Sequence, residues 1–219
     1  IKKYNKQLVF MKPSSCNIYD KNHSQSGKDI IVTNNLSDII KKNKYNKNTN
    51  YLVQKGVEFP YLIEGHKTDL RMYIFQILVD NKLYSYLYND FFIKLANSKY
   101  NNKNNDDKTM LTNNSKLTPE NKYDPFYTRT SKSLTPKFKK YILNNVENIS
   151  SDIIKTIFSE KQKTNRKAKY QYHYLGLDFI INTRDNSIVL LEINGKNTGT
   201  DYPTIDGKIL VNKILKDMK

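Results

Sequence analysis

Short apolar runs separated by polar loops dominate the hydrophobic pattern of the chain, and most of these runs have the length of β-strands. In the first quarter of the sequence, the pattern predicts strands at Leu8–Met11, Ile30–Thr33 and Tyr51–Lys55. A short helix is predicted to begin with Ser37 as its N-cap and to end at Lys42, because a serine hydroxyl accepts hydrogen bonds from the first amides of a helix. This order of elements is typical of a small α+β lobe.

Two β-hairpins are predicted further along the chain. The β-prone segment Asp69–Val79 is followed after a polar turn by Leu83–Tyr88, and the two are expected to pair as antiparallel strands. A second pair of strands, Tyr174–Ile181 and Ile188–Ile193, flanks the turn-forming cluster Thr183–Ser187. Both pairs indicate antiparallel sheets.

The rest of the chain is predicted to contain helices and one long loop. Apolar residues recur at helical spacing from Lys137 to about Gln162, which predicts a long amphipathic helix. Residues 97–135 are mostly Asn, Lys, Ser and Thr with proline breakers, which predicts a mobile polar loop. A final helix is predicted from about Thr204 to Met218.

The composition is basic and only moderately apolar. Of 219 residues, 37 are Lys or Arg and 21 are Asp or Glu, which gives a formal net charge of +16, and 37% of the residues are apolar. This size suits one domain or two small lobes that share a site. No stretch approaches the roughly 18 apolar residues of a membrane-spanning helix, and no signal-peptide pattern is present, so neither a membrane span nor secretion is expected. Cys16 is the single cysteine, which excludes an internal disulfide framework and indicates a reducing, cytoplasmic environment.

The positive charge limits the possible partners without choosing one. A net charge of +16 attracts nucleic acid, anionic lipid or an acidic protein segment. The lysines are scattered among asparagines, and arginine occurs only at positions 71, 129, 166 and 184. Sequence-reading nucleic-acid surfaces combine arginines with exposed aromatic residues in a recognisable module, and no such motif occurs. We therefore expect no nucleic-acid partner, and the alternative is a nucleic-acid-binding module that binds oligonucleotides tightly.

A carboxylate in an apolar strand is the first candidate for chemistry. Asp178 lies in the run YLGLDFII, where an ionised side chain requires a compensating partner. If the last hairpin is centred on Asp185, Asp178 faces Glu192 across the two strands, and Asn194 lies on the same face two residues further on. Two carboxylates and an amide oxygen are ligands suited to Mg²⁺. In the alternative interpretation, Asp178 is hydrogen-bonded to the backbone and has a structural role.

Polar residues at other strand positions give weaker signals. Lys67, Asp69 and Arg71 alternate along one predicted strand and therefore share one face. By itself, such a row is typical of a solvated edge face. Lys12-Pro13 ends the first strand and opens a Ser-rich loop, and loops of this kind bind phosphates through backbone amides and a lysine.

Several motifs in a fixed order resemble the tubulin tyrosine ligase-like family, within the ATP-grasp superfamily. They are the Lys-Pro loop, Gln-Lys, Glu-Gly-x-Lys-x-Asp-Leu-Arg, Leu-Thr-Asn, Gly-x-Asp-Phe and Leu-Glu-Ile-Asn-Gly, and the resemblance runs from about Phe10 to Lys216. It implies an α+β ATP-grasp fold of mostly antiparallel sheets with flanking helices, in which two lobes hold the nucleotide. Residues 1–58 would form part of the central lobe, with the phosphate loop and the adenine hinge strand. Residues 59–219 would form the C-terminal lobe with the metal site.

The resemblance also implies roles for individual residues. It assigns contacts with ATP to Lys12, Gln54, Lys55, Gly56, Val57, Lys67, Asp69 and Thr112. It assigns catalytic positions to Arg71, Lys94 and Asn113. It assigns the magnesium ligands to Asp178, Glu192 and Asn194, which is the set that the hairpin geometry proposes independently.

Three positions depart from the family pattern. Met110 stands where a histidine precedes Leu-Thr-Asn, and Asp29 places an acidic side chain in the phosphate loop. Lys94 stands where the family has an arginine, which keeps the charge and loses the bidentate grip on a carboxylate. The family's N-terminal lobe is expected to be missing from residues 1–219.

The function implied by the resemblance is ATP-dependent ligation. The expected enzyme activates a carboxylate as an acyl-phosphate and joins an amino acid, tyrosine or glutamate, to tubulin through an amide or isopeptide bond. The implied cofactors are ATP and Mg²⁺, and the implied partners are the acidic tubulin tail and a free amino acid. A cytoplasmic, microtubule-associated monomer is expected. The alternative is a catalytically weak ATP-grasp pseudoenzyme that acts as a basic microtubule-binding scaffold.

Overall fold

The first of two sheets in the computed structural model has three strands. The structure describes residues 5–13, 30–41, 45, 47, 50–79, 82–101, 106–112, 127–162 and 170–194. Strand β1 (Asn5–Pro13) lies between β2 (Ile31–Asn35) and β3 (Tyr51–Lys55), and both pairings are antiparallel. The three predicted strands of this region are therefore confirmed.

Helix α1 (Leu36–Lys41) follows β2 directly and covers one face of this sheet. Val9 and Met11 alternate along β1 and pack with Leu36 in a buried cluster. The predicted N-cap Ser37 is wrong, because the Asn35 side chain accepts a hydrogen bond from the Asp38 amide at 3.1 Å. An asparagine ahead of the first helical residue satisfies the same amide that a serine cap would satisfy.

The second sheet has seven strands in the order β10-β9-β5-β7-β8, with β4 and β6 also paired to β5. Its members are β4 (Leu62–Ile63), β5 (His66–Val79), β6 (Lys82–Leu87), β7 (Phe92–Lys99), β8 (Thr128–Thr130), β9 (Tyr170–Asn182) and β10 (Ser187–Asn194). The registers of β5 with β4, β6 and β9, and of β7 with β8, are antiparallel. Both predicted hairpins are confirmed, and so is the α+β class with mostly antiparallel sheets.

The described residues also form two further α-helices and a 3-10 turn at Ser131–Ser133. The short α2 (Asp107–Met110) precedes Leu111, and α3 (Pro136–Gln162) matches the predicted long helix within one residue. Ile142 and Val146 of α3 are fully buried, as expected for the apolar side of an amphipathic helix. Among the described residues, no helix combines the length and the apolar character that crossing a membrane requires.

A buried aspartate in the β6–β7 connection contacts the residue that follows β8 and the first turn of α3. Asp90 Oδ1 accepts hydrogen bonds from the Phe91 amide at 3.0 Å and from the Ser131 hydroxyl, and Lys139 Nζ lies 3.5 Å away. Ser131 N also donates to Phe91 O at 2.9 Å. These bonds fix the position of β8 beside β7.

The prediction of one loop over 97–135 is wrong at both ends and in its middle. Strand β7 continues to Lys99, α2 lies at Asp107–Met110, and β8 occupies Thr128–Thr130. Strand β7 itself was not predicted. The final helix predicted from Thr204 to Met218 lies outside the described residues.

The chain divides into two compact units. The first combines Ile1–Thr68, Leu95–Lys122 and Asn182–Arg184, and the second combines Asp69–Lys94, Tyr123–Ile181 and Asp185–Lys219. The division into family lobes at 1–58 and 59–219 stays a prediction.

The close approach of β3 and β1 gives a first testable prediction. A Cβ atom at Gly56 would lie 2.6 Å from Leu8 Cγ, and the Gly56 amide is tied to Leu8 O at 2.7 Å, so the backbone has little room to retreat. We expect Gly56→Ala to lower the free energy of unfolding by about 1–3 kcal/mol, as overpacking does. Urea denaturation measures the change. In a Leu8→Ala background the additional cost should be smaller, and an equal cost in both backgrounds would contradict the steric explanation.

Candidate active site

The central strand β5 carries three charged residues on one face. Lys67, Asp69 and Arg71 alternate along this strand, and their exposed fractions are only 5%, 7% and 8%. The adjacent Leu70 and Met72 are also buried, so both faces of this part of β5 are covered. The interpretation of the charged row as a solvated edge face is therefore wrong, since β5 lies between β9 and β7 in the sheet.

Arg71 and Asp178 form a two-point ion pair across neighbouring strands. They are directly opposite each other in the register of β5 and β9. Arg71 Nε donates to Asp178 Oδ1 at 2.5 Å, and Arg71 Nη2 donates to Oδ2 at 2.7 Å. Parallel bonds of this kind fix the orientation of both groups and are the stronger class of hydrogen bond.

Lys94 brings a second cation to the same carboxylate. It projects from β7, on the other side of β5, and its Nζ donates to Asp178 Oδ1 at 3.0 Å. Arg71, Lys94 and Asp178 are each no more than 8% exposed. We call these three residues the ion cluster. It holds two positive charges and one negative charge away from bulk water.

The environment of Asp178 determines its ionisation. Burial by itself raises the pKa of this carboxyl group, but the charge of Lys94 and the hydrogen bonds and charge of Arg71 outweigh burial and hold the pKa well below its usual range. The neighbouring Glu192 side chain acts in the same direction. Asp178 is therefore ionised at neutral pH. Side chains supply these bonds, which contradicts the interpretation of Asp178 as bound to the backbone.

The last hairpin brings the predicted magnesium ligands together. Glu192 of β10 contacts Asp178 of β9, and Asn194 Nδ2 donates to Glu192 Oε1 at 3.0 Å. Glu192 is exposed and Asn194 is half-buried, so this side of the ion cluster is open to solvent. Two carboxylates and an amide oxygen fit a hard cation by their chemistry. Among the described residues, no three His, Cys, Asp or Glu side chains form a metal-binding group, so the set depends on the Asn194 oxygen.

Aromatic side chains line the same face of the sheet next to the ion cluster. Tyr73 follows Arg71 by two residues, stacks on Tyr174 at 5.2 Å between ring centroids, and meets Phe92 edge to face at 6.1 Å. Burial raises the pKa of Tyr174, although the charge of Arg71 opposes that rise. The aromatic rings form an apolar wall, and electrostatic interactions strengthen beside such a wall because water is excluded.

The predicted ATP contacts of the first sheet lie on neighbouring strands. Gln54 is directly opposite Phe10, and Lys12 is opposite Leu52, so Gln54 and Lys12 share the face that points away from α1. Lys55 pairs with Val9 and projects from the other face. The predicted hinge residues Gly56 and Val57 follow β3 directly, and Gly56 is buried while Val57 is half-buried. Their roles toward ATP stay predictions.

The Leu-Thr-Asn segment is described only in part. Met110 and Leu111 are buried, and Thr112 is 6% exposed at the end of α2. Met110, which stands where the family pattern has histidine, therefore fills apolar space. Asn113 and the phosphate-loop residue Asp29 lie outside the described residues.

A buried threonine on β8 lies opposite Lys94 of β7 and was not predicted. Thr128 is directly opposite Lys94 in the register of β7 and β8 and is 4% exposed. It lies in a polar segment without periodicity, so the pattern carried no signal for it. The apolar run FFIKLA predicts a buried strand at β7, and a buried strand implies that Lys94 within it is also buried.

Comparisons with known proteins agree on one family. The sequence model of the tubulin-tyrosine ligase family matches residues 2–210. Tubulin glycylase 3B of Drosophila melanogaster is 30% identical over 93 residues, which are 42% of this chain and 12% of that protein. The probable tubulin polyglutamylase TTLL9 of Rattus norvegicus is 32% identical over 155 residues, 66% of this chain and 32% of that protein. Tubulin glycylase 3C of Tetrahymena thermophila is 27% identical over 207 residues, 88% of this chain and 19% of that protein. The chain thus spans about a third or less of the length of these relatives.

Proposed function

Because the chain belongs to the tubulin-tyrosine ligase family, we propose that it is an ATP-dependent ligase that joins an amino acid to tubulin through an amide or isopeptide bond. The ion cluster is the observation that supports this proposal. Two cations are held beside a solvent-accessible pair of oxygen ligands, Glu192 and Asn194. Cations fixed in a water-poor site stabilise the negative charge that develops during phosphoryl transfer.

The reaction consists of two substitutions. An oxygen of the acceptor carboxylate attacks the γ-phosphorus of ATP, the bond to the β-phosphate oxygen breaks, and ADP leaves. The amine nitrogen then attacks the acyl carbon of the acyl-phosphate, inorganic phosphate leaves with the bonding electron pair, and the nitrogen loses one proton. No oxidant, reductant or covalent enzyme intermediate is needed.

The chain's own residues bind and orient the reactants. Arg71 bonds Asp178 through Nε and Nη2 and would act on the phosphates chiefly through its positive charge, and Lys94 provides a second point charge. Magnesium held by Asp178, Glu192 and Asn194 would supply charge neutralisation at the terminal phosphates. Lys12 and Thr112 are proposed to lie at the phosphates. Gln54, Lys55, Gly56 and Val57 are proposed to hold adenine, and Lys67 and Asp69 to contact adenine and ribose. Rate acceleration then comes mainly from positioning and electrostatics.

The proposed protein substrate is an acidic tubulin tail. The net charge of +16 would attract such a tail and raise the association rate at low salt. Tyrosine and glutamate are the amino acids implied by the family resemblance, and the names of the relatives give glycine as a third to be tested. A cytoplasmic, microtubule-associated monomer is part of the same proposal.

Turnover with tubulin tests the proposal. We expect ADP release that requires tubulin, magnesium and one of tyrosine, glutamate or glycine, with a matching mass increase on tubulin. Omitting each component in turn provides the controls. Microtubule binding without any ADP release or mass increase would replace the ligase by the non-catalytic scaffold.

A further inference from the structure

Three tyrosines on β6 and just after it project from one face of the second sheet. Tyr84 and Tyr86 alternate along β6, and Tyr88 comes two residues later, so their side chains lie on the same side. We call these three residues the tyrosine row. Tyr84 and Tyr86 are 47% and 58% exposed, whereas Tyr88 is half-buried. Tyrosine is enriched at interfaces because its ring is apolar and its hydroxyl can form hydrogen bonds.

The tyrosine row begins beside the ion cluster. Tyr88 packs against the buried pair Tyr73 and Phe92, and its amide donates to Tyr73 O at 3.0 Å. Tyr73 lies two residues from Arg71 on β5 and stacks on Tyr174. Burial raises the pKa of Tyr174, and the same pKa also responds to the charges of Arg71 and Tyr88, so both groups are close to it. The face that carries the ion cluster therefore continues into the tyrosine row.

The strand register gives the length of this surface. Tyr86 lies opposite Phe75, and Lys82, at the far end of β6, lies opposite Val79. Val79 is eight residues from Arg71 on β5, which corresponds to about 26 Å along the strand. A peptide of about eight residues in an extended conformation would span the surface from the ion cluster to Lys82.

The charge and chemistry of this surface favour an acidic peptide as its occupant. Cations stand at both ends, with Arg71 and Lys94 at one end and the exposed Lys82 at the other. The sequence that follows Lys82, LYSYLY, contains no acidic residue. Tyrosine rings pack against the methylene groups of a peptide, and tyrosine hydroxyls donate hydrogen bonds to carboxylates and backbone carbonyls. A single-stranded nucleic acid, by contrast, requires cations that follow its phosphates along the whole path.

We propose that the tyrosine row is a docking surface for the acceptor peptide, an extended acidic segment whose reacting carboxylate lies at the ion cluster. This inference rests on the proposed ligase function, because that function places the reacting carboxylate beside Arg71 and Lys94. The peptide residues on one side of that carboxylate then contact Tyr88, Tyr86 and Tyr84 in this order. The row binds the peptide and takes no part in the bond-forming steps.

Fluorescence anisotropy with a labelled, glutamate-rich peptide of about twelve residues tests the proposal, because this length exceeds the extended span of the surface. The double substitution of Tyr84→Ser with Tyr86→Ser removes both exposed rings. We expect it to weaken binding about tenfold or more, since tyrosine contacts are among the largest contributions to an interface. The double substitution of Tyr84→Phe with Tyr86→Phe keeps the rings and should bind the peptide more tightly than the serine variant.

Phe59 supplies the matched control for the loss of an exposed ring. It is 46% exposed, which is similar to Tyr84, and it lies outside β6. Phe59→Ser should bind the peptide as tightly as wild type. Circular dichroism at the temperature of the titration verifies that each variant is folded.

Lys82 tests the charge of the surface independently of the rings. We expect Lys82→Gln to weaken peptide binding about two- to fivefold at low salt, and the difference from wild type should shrink as salt is added, because salt screens exposed charges. Lys155→Gln removes a lysine from α3 whose side chain is 74% exposed, and it should leave peptide binding unchanged. An equal effect of both substitutions would contradict a specific role for Lys82.

The outcomes separate this inference from the proposed function. Wild-type affinity of the serine variant for the peptide, or no peptide binding by wild type, would overturn the docking surface and leave the ligase proposal intact. Peptide binding that is lost in the serine variant, together with no ADP release by wild type in the turnover assay, would retain the docking surface and overturn the ligase. Tighter binding of a single-stranded oligonucleotide, also lost in the serine variant, would overturn the acidic peptide as the occupant.

Discussion

Replacing Arg71 with methionine is expected to lower the free energy of unfolding by about 3 kcal/mol, which is among the largest effects of a single substitution in this chain. The physical reason is that Asp178 stays ionised and buried while it loses two hydrogen bonds, at 2.5 and 2.7 Å. Removing one partner of a buried ion pair costs more than the pair contributes, because the remaining charge is poorly solvated. Lys94 still contacts Asp178, which keeps the expected cost near the lower end of the usual range.

Urea unfolding of three variants measures this effect. Arg71→Lys keeps the charge and loses the planar fork, so its stability should lie between those of wild type and Arg71→Met. Lys155→Met is the matched control, since its ion pair with Asp152 is exposed, with side-chain exposures of 74% and 83%. That control should change stability by less than about 0.5 kcal/mol. A cost below about 1 kcal/mol for Arg71→Met would show that Asp178 finds adequate solvation without the arginine.

The sequence predicted the elements whose signals are local. The long amphipathic helix has one apolar residue per turn over many turns, and its observed bounds, Pro136–Gln162, agree with the pattern. The last hairpin was predicted from its turn cluster, its two strands are neighbours in the sheet, and the Asp178 and Glu192 side chains interact. The need for a partner to Asp178 was also inferred correctly from the apolar residues around it.

The burial of the charged row on β5 could not be predicted from local patterning. The spacing of Lys67, Asp69 and Arg71 predicts a polar face of the strand. Only the pairing of β5 with distant strands shows that this face is buried. The groups that neutralise Asp178 come from 107 and 84 residues away in the chain. Periodicity within a strand says which residues share a face, but it does not say what lies against that face.

Smaller disagreements have similar physical reasons. Serine and asparagine both cap helices well. The helix begins two residues earlier than predicted, so Asn35 is the cap and Ser37 lies inside the helix. Strand β8 contains three residues in a polar segment, and its position depends on the contacts of Ser131 with Asp90 and Phe91. Hence the pairing of Thr128 with Lys94 could be seen only in the strand register.

The ion cluster also bears on how magnesium and ATP would bind. In the described structure, Arg71 and Lys94 contact the same carboxylate that is proposed to hold magnesium. The cations and the metal therefore compete for Asp178, whereas Glu192 is exposed to solvent. For this reason, Glu192 gives the cleaner test of the metal site.

The substitution Glu192→Gln is expected to remove most of the magnesium-dependent part of ATP binding. Glu192→Gln keeps the size of the side chain and removes one negative charge from the proposed ligand set, so the affinity for Mg·ATP should fall by at least about 10–100-fold. Folding should change little, because Glu192 lies at the exposed end of β10. Titration of ATP into both proteins, with and without magnesium, measures the effect. Thermal unfolding gives a second readout, since a ligand at a hundred times its Kd stabilises the native state by about 2.7 kcal/mol.

A second glutamate on the surface controls for the change of charge. Glu147 is exposed on α3, and Glu147→Gln should leave the magnesium-dependent binding of ATP as in wild type. Equal binding by wild type and Glu192→Gln would contradict the assignment of Glu192 as a magnesium ligand. Magnesium-independent binding of ATP in both proteins would show instead that Arg71 and Lys94 contact the phosphates without the metal, because these two cations are the charged groups that remain beside Asp178.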